Sequence, residues 1–223
     1  MSVLELLTRI FAPHYCIGCD MEGDRLLCAG CAQDVPPVPP RCYRCKAVTD
    51  GYITCRDCRG ETPLCQVLVA THYRDFGKEL LHRTKYERAR SGAVEMAALM
   101  TPLLRYVPDD VVLVHVPTAT ARVRQRGYDH ARLLVRALSQ ATALPVSTPL
   151  RRIGQAHQVG AGRAERLHQL HGAFRVVYPG SMQGKHIVLV DDVLTTGVTL
   201  ETAARELKKT GAKQVSALVF AQA

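Results

Sequence analysis

Two periods of apolar spacing alternate through the last two thirds of the chain. Aliphatic and β-branched runs at 66–73, 111–116, 187–190 and 215–220 read as strands. Uninterrupted runs of this kind are covered on both faces, the usual state of a parallel sheet. Residues 76–86 (with Leu80 and Leu81), 93–105 and 128–140 (with Ala131, Leu134, Val135 and Leu138) carry helical amphipathic spacing. Residues 145–149 predict a short extended piece. Strand and helix in alternation predict an α/β fold, a parallel sheet flanked by helices and joined by right-handed crossovers.

The first quarter of the chain lacks either period and is organised by cysteine. Eight of the nine cysteines form four CxxC pairs: Cys16 and Cys19, Cys28 and Cys31, Cys42 and Cys45, Cys55 and Cys58. A disulfide framework belongs to secreted chains, and residues 1–12 show no secretory pattern: Glu5 interrupts their apolar stretch. One redox dithiol would explain one CxxC. Four pairs after short loops match tetrahedral four-cysteine zinc ribbons, with zinc in a structural role. Sequential pairing and a crossed arrangement are both compatible with the spacing. So few large apolar side chains make folding of this segment depend on metal. Cys65 lies outside the repeat and reads as a small buried apolar residue.

Residues 35–40, Val-Pro-Pro-Val-Pro-Pro, are a stiff spacer inside the cysteine region, whereas Gly60-Glu61-Thr62-Pro63 precedes the first strand-like run. The expected division is a zinc-ribbon domain over 1–63 and an α/β domain over 64–223. No segment reaches the length of a membrane-spanning helix, so a cytoplasmic protein is expected.

The densest chemistry lies at 187–200. Four apolar residues run into Asp191 and Asp192, then into Leu194-Thr195-Thr196-Gly197-Val198-Thr199, and a helix is expected through Lys209 with Thr199 as its N-cap. Open N–H groups and the dipole at a helix start favour a phosphate. The acidic pair suits sugar hydroxyls, or a hydrated Mg2+ at one remove. A second candidate region follows the strand at 111–116, where small residues from Thr118 lead into Arg122, Arg124 and Arg126. Guanidinium forks suit polyphosphate oxygens, and the N–H groups of 118–121 form a potential anion nest. Residues 150–174 are long, polar and glycine-containing, which predicts a lid carrying Arg151, His157, Gln158 and Arg163.

The 187–200 segment resembles the phosphoribosyl pyrophosphate (PRPP) motif of type I phosphoribosyltransferases. That resemblance implies that Asp191 and Asp192 bind the ribose 2′- and 3′-hydroxyls and that Thr195, Thr196, Gly197 and Thr199 wrap the 5′-phosphate. It also implies that the segment with Thr118, Arg122 and Arg126, together with Arg163 of the lid, holds pyrophosphate alongside Mg2+. With the cysteine module and the Gly172-Ala173-Phe174 stretch added, the whole chain resembles the ComF family of phosphoribosyltransferase-domain proteins. Members usually read Arg-Gly-Phe-Asn-Gln where this chain has Arg126-Gly127-Tyr128-Asp129-His130. The resemblance implies a link to DNA uptake, with single-stranded DNA and a competence-machinery protein as further partners. Charge agrees: 29 Lys and Arg against 20 Asp and Glu give +9, more than PRPP alone requires. Tyr43, Tyr52, Tyr73 and Tyr86 are the candidate base-stacking platforms.

Overall fold

The computed structural model describes residues 14–87, 89–153 and 172–223. Before residue 64 regular structure is sparse. Strand β1 (His14–Tyr15) pairs antiparallel with β2 (Glu22–Gly23), and α1 (Ala29–Gln33) and α2 (Arg56–Arg59) are about one turn each. Cys28 caps α1, its sulfur accepting from the Cys31 N–H, and Cys55 takes the corresponding place before α2. The spacer at 35–40 runs along the next strand, β3 (Val67–His72), through a Pro37–Thr71 bridge. Thr71 Oγ1 donates to the Pro36 carbonyl at 3.3 Å, and Tyr52 Oη donates to that of Val38 at 2.7 Å. A proline-rich segment with few N–H donors thus covers a sheet edge.

Helices α3 (Asp75–Tyr86) and α4 (Ala89–Met100) follow β3. The helix expected over 93–105 begins earlier and ends at Met100, continuing as a 3-10 turn over Thr101–Tyr106. Pro102 is the reason: it cannot donate back into an α-helix. Strand β4 (Val112–His115) leads through α5 (Thr120–Arg126) and α6 (His130–Thr142) to β5 (Val146–Ser147). A hairpin of β6 (Leu150–Arg152) and β7 (Phe174–Val176) frames the expected lid. Arg163, Gln158 and His157 lie outside the described residues. Strand β8 (His186–Leu194), α7 (Val198–Lys209) and β9 (Gln214–Gln222) complete the chain.

The five-stranded sheet has the order β3-β9-β8-β4-β5 and is parallel throughout. Both faces are covered, as the unbroken apolar runs require. Ile187, Leu189, Val215, Ala217 and Val219 pack with Leu200, Ala203, Ala204 and Leu207 of α7. Val188, Val190, Leu218 and Phe220 pack on the other face with Leu80, Leu81, Met96, Leu134 and Leu138 of α3, α4 and α6. From β4 the chain goes to β5 on one side; from β8 it goes to β9 on the other. The strand order therefore reverses between β4 and β8, and the crevice beyond their carboxyl ends is where open α/β sheets hold ligands.

Candidate functional site

Strand β8 runs four residues past its expected end, so the acidic pair belongs to the sheet and not to the loop after it. Asp191 pairs with Val219, and Val193 and Leu194 with Ala221 and Gln222. Alternation along the strand sends the two carboxylates to opposite faces. Asp191 Oδ1 accepts the Asp192 N–H at 2.9 Å, and Asp192 Oδ1 accepts the Val193 N–H at 2.7 Å. Burial and then the neighbouring Asp192 push the Asp191 carboxyl well above the usual carboxylate range. Burial would also raise Asp192, but a hydrogen bond from His130 and the Lys85 ammonium outweigh it and hold that carboxyl well below the range.

Asp192 Oδ2 receives Lys85 Nζ at 2.5 Å and His130 Nε2 at 2.8 Å. Arg126 Nη1 lies 3.3 Å from His130 Nδ1. Guanidinium only donates, so Nδ1 is the acceptor, and the network assigns the His130 proton to Nε2, facing Asp192. Lys85 arrives from the last turn of α3, whose C-terminal carbonyls at Thr84 and Lys85 accept from Tyr128 Oη at 2.8 and 2.7 Å. Neither Lys85 nor His130 was marked by the sequence motifs; the departure from the family's Phe-Asn-Gln at 128–130 was the available signal for His130.

The basic segment after β4 differs from the expected loop. Residues 120–126 are the helix α5, with Arg122 exposed and Arg126 half-buried. The Thr118 N–H is not directed at an anion nest: it donates to Asp129 Oδ2 at 3.3 Å, while Thr118 Oγ1 donates to Oδ1 at 2.9 Å. Asp129 also caps α6 through the Ala131 and Arg132 N–H groups, which ties the turn after β4 to the helix bearing His130. Arg152, from β6, is a further cation that the motifs missed. Burial and then nearby Arg122 lower its pKa while Asp191 opposes them, so the three share one electrostatic neighbourhood. Arg151 is exposed.

The turn from β8 into α7 consists of Thr195, Thr196 and Gly197. Gly197, at φ 78°, is the N-cap in place of the expected Thr199, which lies inside the first helical turn. Left-handed backbone here favours glycine, and packing reinforces the choice. A Cβ on Gly197 would lie 2.8 Å from Tyr43 Cε2. Tyr43 Oη donates to Glu201 Oε1 at 2.7 Å, and Arg44 Nε lies 3.8 Å from the same oxygen. Burial pushes the Tyr43 hydroxyl up, which keeps it a donor.

The eight paired cysteines form two clusters in sequential order, Cys16, Cys19, Cys28 and Cys31, and Cys42, Cys45, Cys55 and Cys58. Within each cluster all four sulfurs lie within 4.8 Å of one another. Sulfurs bound tetrahedrally to zinc at about 2.3 Å stand about 3.8 Å apart. Cys19 to Cys28 is 3.9 Å and Cys45 to Cys55 is 3.5 Å, so both donor sets fit the ion. Burial would raise Cys16 and Cys42, yet backbone N–H donors, from Cys28 and Gly18 and from Cys45 and Cys55, bring both thiols down to about 6. The adjacent sulfurs of Cys28 and Cys55 push Cys31 and Cys58 up to about 12. Cys65 is half-buried, outside both clusters.

Residues 162–223, which contain β8, the acidic pair and α7, match the phosphoribosyl transferase domain family. Among solved structures, the allosteric regulatory enzyme of purine biosynthesis is similar at a TM-score of 0.41 and 18% identity. That likeness covers 61% of this chain and 29% of the other, so the chain spans less than a third of that protein's length. DNA utilization protein YhgH of Escherichia coli (strain K12) is 28% identical over 220 residues, 91% of this chain and 94% of the relative. Competence protein ComFC of Bacillus subtilis (strain 168) is 29% identical over 205 residues, 86% of this chain and 81% of the relative. Along most of its length the chain is thus similar to competence and DNA utilization proteins. Of the tyrosines expected to serve base stacking, Tyr43 and Tyr52 are buried in the core, whereas Tyr73 and Tyr86 are exposed. Among the described residues of the chain no helix is long and apolar enough to cross a membrane.

Proposed function

We propose that this protein binds PRPP with Mg2+ and transfers the phosphoribosyl group to a nitrogen acceptor. The observation that carries the reading is the acidic pair ending β8 at the switch point, directly before a glycine-opened helix N-terminus. The ribose 2′- and 3′-hydroxyls donate to Asp191 and Asp192, and the 5′-phosphate takes the N–H groups and hydroxyls of Thr195, Thr196, Gly197 and Thr199. A ribose hydroxyl on Asp192 Oδ2 competes with Lys85, whose released ammonium joins Arg122, Arg126 and Arg152 against the pyrophosphate, with Arg163 of the lid as a further contact. The C1–O bond breaks with its electron pair leaving on pyrophosphate, and the acceptor's lone pair forms the new C1–N bond. Mg2+, a cation that prefers oxygen ligands, neutralises the departing pyrophosphate when bound. The two four-cysteine clusters hold structural zinc, and their reduced thiols suit a cytoplasmic setting.

A second reading makes the same pocket a PRPP or nucleotide sensor in a chain that holds single-stranded DNA or a competence-machinery protein. It is favoured by Tyr86, 60% exposed, with the Arg126 guanidinium 5.2 Å from its ring centroid, a platform suited to base stacking. The names of the relatives, competence protein and DNA utilization protein, support a link of either reading to competence. Calorimetry should show Mg-dependent PRPP binding that Asp191→Asn with Asp192→Asn abolishes; unchanged affinity in the double variant rejects the site. Pyrophosphate release from PRPP across nucleobases and a metabolite extract separates transfer from sensing. DNA binding that is insensitive to salt would remove the nucleic-acid reading.

A further inference from the structure

Tyr43 and Arg44 are the two residues between the ligand positions Cys42 and Cys45, and both reach out of the cysteine turn to the start of α7. The Tyr43 ring lies flat enough against Gly197 that any side chain there would strike it. Its hydroxyl and the Arg44 guanidinium both address Glu201, whose side chain is 2% exposed. Glu201 occupies the first turn of α7. A buried carboxylate in that turn competes with a bound phosphate for the same helix dipole. Arg205 of α7 lies 3.5 Å from one Glu201 oxygen; Arg44, which also pairs with Glu61 at 2.8 Å, adds positive charge beside the other from outside the helix, and Tyr43 donates a hydrogen bond to that same oxygen. The contact therefore does two things for the anion loop: it holds the left-handed turn in shape, and it offsets the negative charge that Glu201 places against an incoming phosphate. Tyr43 is buried and its hydroxyl also meets Thr62 Oγ1, while short α2 offers the turn little helical structure; four thiolates on one ion would fix the Cys42–Cys45 turn that carries Tyr43 and Arg44.

We propose that Tyr43 and Arg44 are positioning residues of the anion-binding loop, and that metal at Cys42, Cys45, Cys55 and Cys58 and phosphate at the α7 N-terminus strengthen each other's binding. The proposal rests on the PRPP reading for the identity of the ligand, and on the Tyr43–Gly197–Glu201 contact for the coupling. Linkage makes the effect reciprocal. PRPP should slow loss of metal from the second cluster and leave the first unaffected, because Gly18 and Arg25 around the first rest on Phe76 of α3 and Glu95 of α4.

The experiment uses the full chain loaded with zinc and a chromophoric chelator. Metal should leave in two phases, and saturating Mg-PRPP should slow one of them about tenfold. Tyr43→Ala should abolish that protection and weaken PRPP about tenfold by calorimetry with both metals retained. Tyr43→Phe, which keeps the ring on Gly197, should recover part of the affinity, and Ile17→Ala, between ligands of the first cluster, should change nothing. Equal protection of both phases, protection of neither despite PRPP binding, or wild-type PRPP affinity in Tyr43→Ala overturns the proposal. Hydrogen exchange at 195–201 before and after chelation tests it without PRPP. Faster exchange on metal loss supports the coupling even if PRPP proves to be the wrong ligand, and unchanged exchange refutes it.

Discussion

The first and second cysteine clusters have nearly the same ligand spacing and the same pattern of one low and one high thiol, but they rest on different parts of the fold. Around the first, Gly18 abuts the Phe76 ring of α3, Leu26 enters the core beneath the helices, and Arg25 forms a fork with Glu95 of α4 at 3.0 and 2.6 Å. Around the second, Tyr43 and Arg44 rest on the turn that opens α7. One module braces helices, and the other braces the turn that opens α7. Two clusters of the same chemistry therefore bear on different parts of the fold through the residues beside their cysteines: Gly18, Arg25 and Leu26 in one, Tyr43 and Arg44 in the other.

Removing ligands from each cluster in turn should give the largest contrast. Cys42→Ser with Cys45→Ser should abolish Mg-PRPP binding, whereas Cys16→Ser with Cys19→Ser should lower the melting temperature and leave the affinity of the folded fraction intact; calorimetry and thermal unfolding read the two outcomes. Equal loss of affinity in both would erase the distinction. A smaller effect is expected from Gly18→Val, which drives a side chain into Phe76 and should cost about 1–3 kcal/mol of stability without touching PRPP binding. Smaller again is Arg25→Ala. It leaves Glu95 buried without its fork, but half of the pair is solvent-exposed on the arginine side, so a loss of about 1 kcal/mol in denaturant unfolding is expected.

A last effect acts at the acidic pair and on neither cluster. Asp191 has a folded-state pKa above its unfolded value, so the folded state holds the extra proton. Stability is then present at low pH and lost as pH rises toward the raised value, at no more than about 1.4 kcal/mol per pH unit. Asp191→Asn should flatten that decline in melting curves taken from about pH 5 to about pH 8. A decline that persists unchanged would mean that Asp191 is ionised in the folded protein.

The cysteine spacing and the run from Ile187 to Thr199 were legible because each keeps its chemistry within a short stretch of chain. So was the sheet, whose strands are apolar on both faces. Contacts between distant residues were not. Lys85 and His130 meet on Asp192 from two different helices, and Arg152 enters the electrostatic neighbourhood of Asp191 from a hairpin that composition presented as part of one long loop. Tyr43 looked like a stacking platform because nothing local distinguishes an exposed tyrosine from one whose ring lies on a glycine far along the chain. The arginines after β4 read as a loop because small residues precede them, yet their own side chains are good helix formers and α5 results.

The bond from Tyr43 to Glu201 joins residues 158 positions apart. The cysteines around Tyr43 lie together near the start, while β8, α7 and β9 form one continuous unit at the other end. During synthesis the cysteine turn is made first and can take up its ion while most of the chain is still unmade; the anion loop follows much later, and closing so long a loop is slow. Tyr43 must therefore wait, already shaped, for the helix it supports. The Tyr43–Glu201 bond thus cannot close until α7 has been made, however early the cysteine turn is complete.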